Sequence, residues 1–251
     1  MLNFLRKLRR SNMNGKYLKY AFGEILLVVA GILIALQINL WAQKKKDRIR
    51  EQVILKSLLA EIDNNDITLD ETISANLLNK SSAERIAKHT GIENSTMTEK
   101  EFAKLFGSAF KHEIAYTPGN GVLKELINTG NLSLIKNQTL RTTLSSWGAK
   151  LQRLYYQQLQ VEKIRQKIYD IIMDTGNFRK LLDVTREDEP WYQLSDSQFL
   201  QGNISLLSSP QFENNLVLFI GSSTYLDFSF YQEHKIKLQE LRTLVSNQIK
   251  D

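Results

Sequence analysis

Apolar and polar residues are distributed along this chain in two distinct ways, and the first is a block. From Ile25 to Ala42 the sequence ILLVVAGILIALQINLWA carries no charge, and basic residues flank it on both sides. At ~1.5 Å per residue the block spans roughly 27 Å as a helix, close to the ~30 Å hydrocarbon core of a bilayer. Tyr20 and Phe22 extend it at one end and Trp41 closes it at the other, the depths at which amphipathic rings settle. The pattern predicts a transmembrane helix over 20–42, with a basic tail at 1–19 before it.

Beyond the block the pattern becomes periodic. Leu55, Leu58, Ile62, Leu69, Ile73 and Leu77 recur at helical spacings, which predicts one long helix from Lys44 to about Lys80. The run Asp63-Asn64-Asn65-Asp66 is a candidate kink or break within it. Residues 81–97 are polar, contain Gly91, and read as a surface connection. Thr98 with Glu101 three residues later has the form of a capping box and opens another helix.

Thr117-Pro118-Gly119-Asn120-Gly121 is turn chemistry. A short helix follows over 122–128, and Gly130 suits the left-handed conformation that ends helices. Asn137 is placed to cap a helix reaching about Met173, whose buried face includes Leu140, Leu144, Trp147, Leu154, Ile164 and Ile168. Pro210 fits the first turn of a last helix ending near Ile249. The fold class is therefore all-α: an N-terminal transmembrane helix continuing into a long-helix antiparallel bundle over 43–251.

Charge sharpens this picture once it is divided along the chain. Residues 1–50 hold eleven basic groups against Glu24 and Asp47, a local balance of +9 within a total of +6, so the remainder carries −3. The basic surplus belongs to the flanks of the apolar block, where Lys and Arg meet anionic headgroups at about 1 kcal/mol each. Nucleic acid is not an expected partner; the lipid bilayer is. With no cysteine, the chain has no disulfide framework, thiolate nucleophile or Cys-ligated metal.

A cleaved signal peptide is the competing reading of the block. The stretch before it runs to residue 24, long for a signal, and no small-x-small cleavage site follows, so an uncleaved anchor is favoured. Basic groups within twenty residues are six on each side, a tie under the positive-inside rule. Translocating a short tail with six positive charges is costly, which leans the bulk domain outward, to the periplasmic side. Glu24, Val28, Gly31, Ala35 and Asn39 fall within an arc of about 80° on a helix at ~100° per residue. Gly31 and Ala35 form a small-xxx-small pair that admits a second helix backbone. This face reads either as a packing seam, for a homodimer or a membrane-protein partner, or as an ordinary anchor surface.

Catalytic constellations do not emerge. His89, His112 and His234 lie far apart and read as surface histidines; no phosphate loop, dinucleotide turn or nucleophile elbow is present. Asp63 and Asp66 read as a solvated helix face, and Arg186-Glu187-Asp188-Glu189 as a solvated loop. Five Asn-x-Ser/Thr triplets, at Asn79, Asn94, Asn131, Asn137 and Asn203, arise easily by chance. No cofactor, metal or catalytic residue is expected.

Two stretches belong together: KYLKYAFGEILLVVAGILIALQINLW (Lys16–Trp41) and GVLKELINTGNLSLIKNQTLRTTL (Gly121–Leu144). The pairing resembles a family of single-pass membrane proteins of the Bacteroidota, known as a domain of unknown function. The anchor matches at Gly23, Glu24, Gly31, Gln37, Asn39 and Trp41. The second element matches at Leu126, Gly130, Asn131, Leu132, Leu134, Ile135, Asn137, Leu140 and Arg141. The resemblance covers about 50 residues and implies inner-membrane attachment in a Gram-negative cell and an α-helical domain; it brings no catalytic residues with it. Read physically, Gly130 ends one helix, Leu132 and Ile135 dock the link, Asn137 caps the next helix, and Arg141 is placed for a structural ion pair, with ligand binding as the alternative. The expected function is a non-enzymatic, membrane-anchored helical interaction or scaffold module of the bacterial envelope. The alternative is a sensor or accessory subunit relaying a signal through its membrane helix to a partner protein.

Overall fold

The computed structural model describes residues 15–93, 95–188 and 191–250. Most of the basic tail, the triplet at Asn94, and Glu189 and Pro190 lie outside the described residues. The first helix, α1 (Gly15–Ala87), is one unbroken element, and the chain divides into two compact units after Val53. In the first unit, every side chain from Lys19 to Lys46 is exposed.

The second unit is a helical bundle. Its elements after α1 are α2 (Glu99–Phe110), α3 (Gly121–Asn128), α4 (Gln138–Thr175), α5 (Phe178–Val184), α6 (Pro210–Leu226) and α7 (Gln232–Ser246). No strand occurs among the described residues. Local chemistry sets the starts. Thr98 Oγ1 accepts from Glu101 N at 3.1 Å, Asn137 Oδ1 from Leu140 N at 2.9 Å, and Ser209 Oγ from Phe212 N at 3.3 Å, with Pro210 in the first turn.

The direction of packing follows from paired residues. Along α1, Asp63 meets Arg242, Asp70 meets Lys235 and Asn76 meets Ser223, and in the turn just after its end Thr90 meets Glu213. One number rises as the other falls, so the C-terminal helices run antiparallel to α1 over its whole buried length. α4 is antiparallel to them too: Trp147 lies against His234, while Phe110 bridges Arg165 and Tyr169 on α4 to Phe219 on α6.

The buried seam of α1 has an almost strict rhythm. Leu55, Leu58, Ile62, Asn65, Leu69, Thr72, Asn76, Asn79, Ala83 and Ile86 are all buried, at alternating steps of three and four. That is a 3.5-residue period, which keeps a seam on its partner when helices wrap left-handedly. Three expectations change accordingly. The Asp63–Asp66 run does not interrupt the helix, because Asn65 turns inward and finds partners. Leu77 is 43% exposed, and Asn76 takes the buried place beside it. The helix also runs past Lys80 to Ala87, because Ala83 and Ile86 continue the seam. It ends where Gly91 adopts φ +70° and donates from its N–H to Leu207 O at 2.9 Å.

Aromatic rings form the centre. Phe102, Phe106, Phe110, Phe212 and Phe219 are buried and chained by ring contacts of 4.9–6.0 Å. Each such ring contributes about 1.5–3 kcal/mol by burial, against about 0–1 kcal/mol for an exposed ion pair such as Arg242–Asp63. Burial decides the fold, and the ion pairs decorate it.

The last helix contains a surprise. Asp227–Tyr231 is a π turn joining α6 to α7. Leu226 and Tyr231 are both fully buried, yet five residues at ~100° each would place them on different faces of an α-helix. The π turn takes up the extra residue and lets both point inward.

Candidate functional site: apolar span, backbone clasps and a caged histidine

In the first unit, α1 is the one helix among the described residues long and apolar enough to cross a membrane. Glu24, Val28, Gly31, Ala35 and Asn39 all lie on it and are exposed, and nothing approaches within 4 Å of the position a Cβ would occupy at Gly31. At the basic end the Lys45 ammonium sits 5.5 Å from the Trp41 ring centroid, an arrangement that holds the indole beside a cation.

In the second unit, the Gly130–Arg141 element is a helix-to-helix joint. Gly130 has φ +71°, the left-handed conformation that favours glycine, and Asn131–Leu134 forms a single 3₁₀ turn after it. Ile135 is fully buried and Asn137 caps α4. Among the described residues, Arg141 does not take the ion pair expected of it. Its guanidinium donates to the carbonyls of Ile135 and Lys136, fastening the joint to the start of α4 through backbone.

Sequence reasoning missed the main use of polar side chains, which is to clasp backbone. Asn65 donates from Nδ2 to Gly119 O at 2.8 Å and accepts from Gly119 N at 2.7 Å, satisfying both backbone groups of one residue. Tyr116 donates its hydroxyl to Asn65 O, and the Glu61 carboxylate accepts from Val122 N and Leu123 N at the start of α3. Further along, Asn76 donates to Ser223 O and Asn79 to His112 O. A second clasp stands at the other end of the bundle. Glu99 accepts from Asn203 N and Ile204 N, and buried Asn203 pairs through its amide with both backbone groups of Asn177. A Cβ at Gly202 would lie 1.8 Å from Glu99 Oε1, so a larger residue there would push the carboxylate out of the clasp. The triplets at Asn79 and Asn203 are therefore buried structural residues. The signal available in sequence was the alternating three-four rhythm, which passes through Asn65, Asn76 and Asn79.

Asn65→Ala should cost about 2–3 kcal/mol, because it strands the N–H and C=O of Gly119 in a partly buried site. Urea unfolding of the full chain in detergent should show a lower midpoint at unchanged slope. A shift below about 0.5 kcal/mol would mean that the Thr117–Gly121 turn keeps its place without the clasp.

The three histidines do not share one environment. His112 is exposed and His89 half-buried, but His234 is buried, against the expectation of a surface residue. It sits between Tyr116 at 5.4 Å and Trp147 at 5.2 Å between centroids. Burial, with the Lys150 ammonium adding to it, pushes its pKa down to about 4. Burial pushes the Tyr116 hydroxyl up, helped by the Asp66 carboxylate. Asp63 pairs with Arg242, while Asp66 is half-buried with Oδ1 unpartnered, so the two acids do not form one solvated face.

Elsewhere, Asp183 ties the loop after α5. Burial raises its pKa, but hydrogen bonds from Tyr192 and Ser197 N and the guanidinium groups of Arg179 and Arg186 outweigh this and leave it below the usual value. Glu187 and Asp188 form exposed ion pairs with Lys100 and Lys104. Among the described residues, no three His, Asp or Glu side chains converge as a metal site requires.

No curated protein and no solved structure matches the chain. The family model described as "Family of unknown function (DUF6090)" matches residues 24–208, about three quarters of the sequence, from Glu24 in the apolar helix through the Asn65 and Glu99 clasps to the turn before α6. The chain belongs to that family of unknown function.

Proposed function

We propose that this protein is a membrane-anchored helical interaction or scaffold module of the bacterial envelope, without catalytic activity of its own. Residues 20–42 hold it in the inner membrane as a single pass, and the bundle stands in the periplasm. One observation carries the reading: the uncharged Ile25–Ala42 stretch is helical and exposed along its full length, in a chain whose other apolar helices bury their faces. Water penalises such a surface at about 25 cal/mol per Å², and hydrocarbon removes the penalty. Tyr20 and Trp41 at its ends and the lysines after it suit the two interfaces. The anchor and Gly130–Arg141 motifs, which resemble single-pass proteins of the Bacteroidota, support the same placement.

The interaction role rests on how the bundle uses its polar groups. Glu61, Asn65, Asn76, Glu99 and Asn203 are committed to holding backbone, which makes a rigid body with its side-chain chemistry turned inward. A partner helix fits the stripe of Glu24, Val28, Gly31, Ala35 and Asn39, where Gly31 leaves the backbone open to close approach. The test is a fusion of alkaline phosphatase, and separately of a cytoplasmic fluorescent reporter, after Asp251. The expected result is a carbonate-resistant membrane protein with high phosphatase activity and little fluorescence. Extraction by carbonate would refute the anchor, and fluorescence without phosphatase activity would reverse the orientation.

A further inference from the structure

Beyond anchoring and scaffolding, the bundle contains a cavity of about 180 Å³ lined by Lys150, Arg153 and Leu154 of α4, Phe230 of the π turn, and Glu233, His234 and Lys237 of α7. We propose that this cavity binds a small monovalent carboxylate carrying an apolar body the size of a ring or short chain.

The charges point to an anion. Lys150 lies 5.3 Å from the Trp147 ring centroid and Arg153 lies 5.4 Å from that of Phe230. Neither is paired with an acid among the described residues. Lys237 shares its charge with Glu240 at the surface. Three cations against the single carboxylate of Glu233 leave the lining positive, and Arg supplies the planar fork that matches a carboxylate with two parallel hydrogen bonds. A dianion fits less well, because Glu233 repels the second charge and His234 is held neutral in its aromatic cage.

The apolar body has its own partners. Leu154 is buried, and Phe230 presents its ring where the guanidinium rests. By volume alone, the half-open space of about 180 Å³ is of the order that accepts a benzene-sized guest, so it suits a ring with one charged group at the mouth. His234 supplies an independent sign of a missing partner. It is 6% exposed, lines the cavity, and its Nε2 has no hydrogen-bond partner among the described residues. This nitrogen is one of seven buried side-chain atoms without a partner among the described residues, and it belongs to a residue that lines the cavity, where a guest or a water could supply the missing hydrogen bond. The π turn fits the same reading, since the extra residue it absorbs places Phe230 at the cavity, and such turns concentrate where helices carry function.

The test is calorimetric titration of the full chain in detergent with benzoate, benzamide and inorganic phosphate. Benzoate should bind saturably at low salt, benzamide should bind at least tenfold more weakly, and phosphate should not compete. Arg153→Gln should weaken benzoate about tenfold, or about 1.4 kcal/mol, while Lys163→Gln, on the exposed side of α4, leaves it unchanged. Because Arg153 is exposed, its variant should fold like the parent; Lys150→Gln provides a second route to the same loss. Absence of benzoate binding into the millimolar range, equal binding of benzamide, binding of phosphate alone, or indifference to both substitutions would overturn the proposal.

Discussion

Acidifying the full-length protein from neutral pH to about pH 4 is expected to remove about 3 kcal/mol of bundle stability, carried by His234. Burial beside Tyr116 and Trp147, with Lys150 near, lowers its pKa from 6.5 to about 4. Each unit of that difference corresponds to about 1.4 kcal/mol. The sign follows from proton uptake. Between about pH 6.5 and 4 the unfolded chain protonates this imidazole and the folded chain does not, so protons pull toward unfolding. The contribution is complete above the ordinary histidine value, falls through that window, and levels off once the folded state also protonates. Asp183 does not share the window, because its depressed carboxyl gives up its contribution only below the ordinary range of about 3.9. Urea midpoints measured in detergent across this range, for the parent and for His234→Gln, check the point. The variant should lose most of the slope with pH whatever its absolute stability, and an unchanged slope would show that His234 is not the group responsible.

Phe110→Ala should be the most damaging single truncation, at about 3–5 kcal/mol. The ring is fully buried and lies 4.9 Å from both Phe106 and Phe219, so it joins α2 to α6. Its own carbonyl accepts from Arg165 and from the Tyr169 hydroxyl, both at 2.7 Å, which ties the end of α2 to α4 through atoms that alanine retains. The loss therefore reports the ring and the cavity it leaves. Phe110→Leu, which keeps much of the volume, should cost well under half as much. Chemical denaturation followed by tryptophan fluorescence distinguishes the two, and similar small losses in both would mean that the neighbouring rings close the gap.

The longer helices and most of their starts were legible in the sequence because they depend on neighbours in the chain, whereas the short α5, capped by Asn177, was not anticipated. Thr98, Asn137 and Pro210 act within one turn, and Gly130 needs only its own backbone freedom. The clasps were not legible, because an asparagine that breaks a helix and one that faces a helix seam have the same identity. Only the partner decides, and Gly119 lies 54 residues from Asn65. His234 was misread for the same reason: its cage comes from Tyr116 and Trp147, which no local pattern brings to it. The π turn was hidden too, since five-residue spacing between Leu226 and Tyr231 looks like an accident until both are seen to be buried.

The rhythm of α1 restricts how this protein can change length. Inserting or deleting one residue between Leu55 and Ile86 turns everything beyond it by ~100°, carrying Asn76 and Asn79 off the backbone they hold. Seven residues bring the register back, and then only if the antiparallel C-terminal helices grow by a matching amount. Length variation in this part of the chain is thus confined to paired heptads, whereas the turns between helices carry no such rule. The long helix serves as a ruler, and the bundle is cut to its divisions.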